Sequence, residues 1–477
     1  MLGTVGGVLM LAGSLGSAAG DVHDPFLGDG PVSWMHYGHG RALASIVLYA
    51  GYVLMVWAWI LLGRHVLAGR AGVRPVLVAS ACWIAPMMLA PALFTRDPFS
   101  YLVQGALALQ GLDPYTVAPT ALDSPELLSS VHPFWQGTPA PYGPLFILMI
   151  KGVVWVTGSN VLAGVLLTRL VQLVGLVVLV WALPRLVRHL GGKLPVAMWL
   201  AVAGPITVVH LVGGAHNDLL MIGFLAAGTA LVLDRRHVAG VAVVTLAVAV
   251  KASAVVALPF LVWVWAGHLT STRARNVARA MSAAIATFVA VFAASSLLAW
   301  VDLGWLGSVN ASSRLVNWLS PPTAAGELIH AIVNVVVDVP KGPFVTVTRI
   351  IGMAILVVYA AWQWWQARDG GPDAVRRAAL VLFAVAVLSA TMLPWYLTWS
   401  LCLAAALPWR PRQLAVMVGV SAFMVAPYSP DGETMLYVWP LMFAAAALSV
   451  LAAVSLVRPD PLRLGSEDRA EADSGVQ

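Results

Sequence analysis

Apolar runs of about 20 residues, the length that crosses a bilayer core, recur along this chain between short polar turns. They fall near 2–20, 41–62, 75–94, 160–184, 195–212, 219–233, 238–250, 253–267, 279–300, 346–366, 378–394, 397–408, 413–427 and 435–456. The pattern predicts an all-α polytopic membrane protein, a bundle of about 12–14 transmembrane helices. The stretches 238–250, 253–267 and 397–408 are short for a full crossing and need tilt or local thinning. The apolar piece 145–156 poses a choice. Counted as a crossing, it turns Arg185, Arg188 and Lys193 outward and inverts every later loop, so it is expected as a re-entrant or surface helix.

The polar intervals carry the rest of the reading. The longest before the C-terminal half is 95–144, which holds Arg96, Asp97, Asp113, Asp123 and Glu126; a second is 301–345. With the N-terminus in the cytoplasm, most of the 27 lysines and arginines fall in cytoplasmic turns, as the positive-inside rule expects. The outer side then receives 95–144, 213–218, the turn at Lys251, 301–345, 394–396 and 427–433. Residues 1–456 are expected to form one integral membrane domain in the plasma membrane, and 457–477 a disordered cytoplasmic tail. The first run ends in GSAAG, like a signal-peptidase site, but lacks a basic n-region, so a retained first helix is expected.

Composition excludes a soluble domain. The chain of 477 residues is 60% hydrophobic and 10% charged, against about 25% charged in soluble proteins. The net charge of +6 does not point to nucleic acid, because the basic residues are spread over short turns. Cys82 and Cys402 lie in apolar runs and read as packing residues. No nucleotide-binding P-loop occurs. Chemistry on the outer face, where nucleotide sugars are absent, calls for a lipid-carried donor.

Several polar residues stand out against so apolar a background. Asp97 could act as a general base beside the membrane; the competing reading is a helix N-cap ahead of Pro98. Asp113-Pro114 has the same form, and there capping is favoured, with a place in the sugar or acceptor site as the functional alternative. Arg169 lies inside a span, where charge usually marks a site or pathway. Lys251, at the tip of a short helix pair, and Arg314, in the second outer interval, could hold a lipid phosphate, as could Arg96. His216 and Asp218 are expected to face the same outer cavity as Asp97, while Asn217 reads as a cap. Tyr115, Trp135, Tyr142, Trp395 and Tyr396 could pack on a sugar ring. Trp263, Trp265 and Trp399 read as interface anchors.

The segments RDPFSYLVQGALALQGLDPY, HPFWQGTPAPYGPLFIL, HLVGGAHNDLLMIGFLAAG and VAVKASAVVALPFL, in this order, resemble the polyprenol-phosphate-mannose-dependent α-1,6-mannosyltransferases of actinobacteria, members of the GT-C superfamily. The resemblance is strongest from 95 to 258. It implies an inverting transfer of mannose from polyprenyl-phospho-mannose to an α-1,6-mannan on a lipid anchor, within membrane lipid and at the outer face, with Asp97 as base. No cofactor is implied. Pro98 and Phe99 follow Asp97, so the Asp-x-Asp form is absent and a divalent metal is left open. Rival readings are a transferase of another lipid-linked sugar, such as arabinofuranose, and a transporter or lipid flippase. No internal repeat of the transporter kind is present.

Overall fold

The computed structural model describes residues 1–19, 30–308 and 311–458. The 457–477 tail expected to be disordered lies outside the described residues beyond Arg458. Helices make up the fold; among the described residues only two isolated β-bridges occur, Ala19 with Ala92 and Tyr428 with Thr434. Among the described residues, five helices are long and apolar enough to cross a membrane: Gly38–Leu67, Val161–Leu190, Arg273–Ala299, Lys341–Asp369 and Trp439–Val457. The run predicted at 195–212 is a broken pair, Leu194–Ala201 and Ile206–Gly213, bent by 46°. Most other predicted runs form shorter apolar helices, among them Leu2–Ser17, Val73–Leu89, Asp218–Leu233 and His237–Val250. The piece predicted to be re-entrant is the helix Pro144–Thr157, packed on Asp97–Leu109.

Small residues set the closest helix approaches, as expected where lipid offers no hydrophobic drive between helices. Val161–Leu190 crosses Asp218–Leu233 at a glycine pair. A Cβ on Gly223 would sit 2.2 Å from the Gly175 carbonyl oxygen, and one on Gly175 would sit 2.3 Å from that of Leu219. This contact brings the start of the Asp218 helix against the helix that carries Arg169. Elsewhere, Trp59 and Trp199 stack at 5.0 Å and each indole N–H donates to the other's carbonyl, at 3.0 and 2.9 Å. One apolar core draws residues from Met10 to Leu456.

Three expectations from the sequence are corrected here. Cys82 is exposed on the outside of its helix, whereas Cys402 is buried. Trp263 and Trp265 are buried in helix contacts. Trp399 is 5% exposed and its indole N–H donates to Asp218. In each case a one-dimensional pattern cannot say which face of an apolar helix meets lipid and which meets protein.

Candidate active site

Arg169 explains how the site's framework is held. Its five guanidinium N–H groups all meet carbonyls: Nε donates to Val212 (3.1 Å), Nη1 to Met88 (3.3 Å) and Ala90, and Nη2 to Pro91 (2.9 Å) and Gly213 (2.6 Å). One helical turn along, Gln172 Nε2 donates to Ala215 at 2.7 Å. These bonds tie the end of Val73–Leu89 to the turn Gly213–Asp218. They correct the reading of Arg169 as a phosphate ligand: it is 1% exposed with every donor occupied. The turn also holds Ala215 at φ 51°, and Phe94 opposite stands at φ 59°. Such left-handed conformations at non-glycine residues persist only when surroundings enforce them.

The clamped turn delivers His216. Its ring is 0% exposed and stacks on Trp395, centroids 3.6 Å apart. Its Nδ1 lies 3.4 Å from Asp97 Oδ2. Asp97 begins the helix Asp97–Leu109 without capping it, since Arg96 occupies the cap position. The Asp97 backbone N–H donates to Thr95 Oγ1 at 3.1 Å. The carboxyl, 19% exposed, therefore points away from its own helix. Burial raises its pKa, but the His216 ring beside it, the Lys251 charge and the Thr95 hydroxyl together outweigh this, leaving it below the usual carboxylate value.

Next to this pair sits a second one. Lys251 Nζ meets both oxygens of Asp218, at 2.9 and 2.7 Å. The ammonium also lies 5.1 Å from the Tyr396 ring centroid and 5.6 Å from that of Trp399. Tyr101 and Tyr142, edge to face at 5.1 Å, feel the charges of both Asp97 and Asp218.

A cavity of about 240 Å³ opens beside Asp97. Of the residues singled out from the sequence, Arg96, Asp97, Trp135 and Trp395 line it. His216, Asn217 and Asp218 do not: all three are 0% exposed, behind the wall rather than in it. Asn217 makes no cap bond, and both its amide atoms are buried without a partner. Tyr142, Lys251 and Tyr396 belong to the same polar layer behind Asp97. Arg314 stands at the rim, with Nη2 donating to Thr138 at 3.0 Å. Asp113 and Tyr115 are elsewhere, which corrects their assignment to the sugar site. Asp113 accepts from the Tyr115 N–H at 3.0 Å in its own turn, and Tyr115 is buried against Gly304.

Sequence reasoning passed over His132, Asn317, Tyr428 and Glu433, which also line the cavity. Each lies in an interval expected to be polar, but they meet only because three distant loops converge. Among the described residues no group of three or more His, Cys, Asp or Glu could hold a metal ion.

Residues 1–267 match the family model described as Alpha-(1->6)-mannopyranosyltransferase, N-terminal domain. The chain belongs to this family. Residues 322–458 match the MptB C-terminal domain. Alpha-(1->6)-mannopyranosyltransferase A of Mycobacterium tuberculosis is 43% identical over 96% of this chain and 90% of its own length. The protein of the same name from Corynebacterium glutamicum is 30% identical over 94% and 96%. Alpha-(1->6)-mannopyranosyltransferase B of C. glutamicum is 28% identical over 89% and 75%. No solved structure matches.

Proposed function

We propose that this chain is an inverting mannosyltransferase of the membrane, which moves mannose from polyprenyl-phospho-mannose to an α-1,6-mannan on a lipid anchor. The observation that carries the reading is the Asp97 carboxylate, the one member of the buried Asp97–His216 pair that reaches the cavity. In the transfer, Asp97 takes the proton from the acceptor's 6-hydroxyl as its oxygen bonds to C1 of the mannosyl group. The bond from C1 to the phosphate oxygen breaks, the configuration at C1 inverts, and polyprenyl phosphate leaves with the electron pair. His216 orients Asp97 and keeps it ionised. Arg96, with Arg314 as a further candidate, offsets the charge building on the phosphate. Trp135 and Trp395 offer ring faces to the sugar.

A lipid-linked donor is further supported by an apolar groove of about 500 Å³ between Gly38–Leu67 and Trp439–Val457. Tyr49 lines the groove and its ring lies 6.3 Å from that of Phe94, which lines the cavity. An isoprenoid chain in the groove would present its phosphate toward Asp97. The outer-face placement draws support from Val161–Leu190. Arg169 is near one end, while Arg185 and Arg188, which pair with Asp234, lie about 24–29 Å further along at 1.5 Å per residue. By the positive-inside rule the basic cluster favours the cytoplasmic side for that far end, and so supports the outer side for the Asp97 end.

The test is transfer of labelled mannose from polyprenyl-phospho-mannose to an α-1,6-oligomannoside by membranes holding the wild type or Asp97→Asn. We expect a longer labelled mannoside from the wild type and a loss of about 10²–10⁴-fold in the variant. Full activity in Asp97→Asn would remove Asp97 as base. No transfer by the wild type, with transfer from an arabinofuranosyl donor instead, would replace the sugar.

A further inference from the structure

Arg96 and His132 at the cavity wall converge on one anionic position. Arg96 Nη2 lies 3.8 Å from Glu433 Oε1, and His132 Nε2 lies 3.7 Å from Glu433 Oε2. Both separations exceed hydrogen-bond length, so the carboxylate sits between the two without being gripped by either. The two side chains themselves are well fixed. Arg96 Nε donates to the Asp431 carbonyl at 3.1 Å, which leaves its Nη2 end turned to the cavity. The Phe134 backbone N–H donates to His132 Nδ1 at 3.1 Å. Nδ1 is therefore an acceptor, and the ring proton is on Nε2, aimed at the anion. Arg96, His132, Glu433 and Asp97 line the same cavity. Arg314 borders it, 5.8 Å from the Phe134 ring centroid.

Glu433 differs from its partners in freedom. Its backbone is pinned: the Ser429 N–H donates to its carbonyl at 2.8 Å, and neighbouring Gly432, at φ 87°, rests against Thr95. Its side chain is 52% exposed, against 27% and 29% for Arg96 and His132. The carboxylate can rotate out to water while Arg96 and His132 stay in place.

We infer that Arg96 and His132 form the seat for the donor's phosphate, and that Glu433 is the carboxylate that fills this seat until the lipid-linked phosphate displaces it. The inference rests on the lipid-phosphate donor proposed above. It adds His132 as a phosphate donor group and gives Glu433 a role opposite in sign to that of a substrate ligand. Lys251 is unsuited to the seat, because Asp218 already takes both its charge and its N–H groups. Each catalytic cycle ends with polyprenyl phosphate in the seat, and return of Glu433 would help to expel it.

The test uses the purified full-length chain with polyprenyl-phospho-mannose as donor and polyprenyl phosphate as inhibitor. Glu433→Gln is expected to lower both the donor KM and the inhibition constant about two- to fivefold, the range of an exposed ion pair. Arg96→Gln and His132→Ala are expected to raise both about tenfold or more. Glu433→Gln should have a smaller effect when combined with His132→Ala. Unchanged or raised constants in both Glu433→Gln and Glu433→Ala, in a wild-type background that transfers mannose, would overturn the seat alone. An equal change in the acceptor KM would also overturn it, since Glu433 would then act on the whole cavity. Failure of the wild type to use the lipid-phosphate donor would remove the donor reading and the seat together.

Discussion

Replacing Arg169 with Met separates a structural clamp from a substrate ligand. The side chain is 1% exposed and its five N–H groups serve carbonyls of Met88, Ala90, Pro91, Val212 and Gly213. Val212 and Gly213 also accept from the backbone N–H groups of Ala215 and Leu93, at 3.0 and 3.2 Å, so they retain a partner in the variant. Counting only Met88, Ala90 and Pro91, each buried acceptor left unpaired costs about 1–3 kcal/mol. The sum, about 3–9 kcal/mol, is comparable to the whole stability of a folded domain, about 5–15 kcal/mol. Arg169→Lys keeps the charge but offers three donors from one point, so it is expected to lose about half of this. The assay is thermal unfolding in detergent by size-exclusion recovery, with donor KM on whatever protein remains folded. We expect Arg169→Met to yield little monodisperse protein and Arg169→Lys to unfold at a clearly lower temperature. A Met variant that unfolds like the wild type but shows a raised donor KM would refute the clamp and restore Arg169 as a phosphate ligand.

Other outcomes follow from the same structure. Lys251→Met leaves the fully buried Asp218 carboxylate without its cation and should cost about 3–5 kcal/mol; Lys251→Met combined with Asp218→Asn should cost less than Lys251→Met alone, read by the same unfolding assay. Gly223→Val drives its side chain into the Gly175 carbonyl and should destabilise by at least about 1–3 kcal/mol, with little effect from the same change at the open position Gly152. Because the Asp97 carboxyl titrates below the usual value, its ionised form, the base, is present above that pKa and lost as pH falls through it. The acid limb of the wild-type kcat/KM profile should therefore lie below the usual carboxylate range, and replacing His216 with Gln should move it upward.

Hydropathy was enough to establish the class of this protein, because a bilayer imposes one length and one polarity on any helix that crosses it. The same scarcity of charge drew attention to Asp97, Lys251 and the Gly213–Asp218 turn before any geometry was known. Hydropathy alone runs through the break in 195–212, because both halves are apolar; the local signal for it is Gly204-Pro205, a pair that interrupts a helix. The sequence could not tell that Arg169 spends all its donors on carbonyls, or that Trp399 reaches inward to Asp218. A buried arginine and a phosphate-binding arginine look alike until their partners are known. The pairings of Asp97 with His216 and of Lys251 with Asp218 join residues far apart in the chain, and so does the meeting of Arg96, His132 and Glu433. The order of residues specifies which groups are available and at what depth they must lie. Only the crossing of helices at small residues, and the loops those crossings bring together, decides which groups touch.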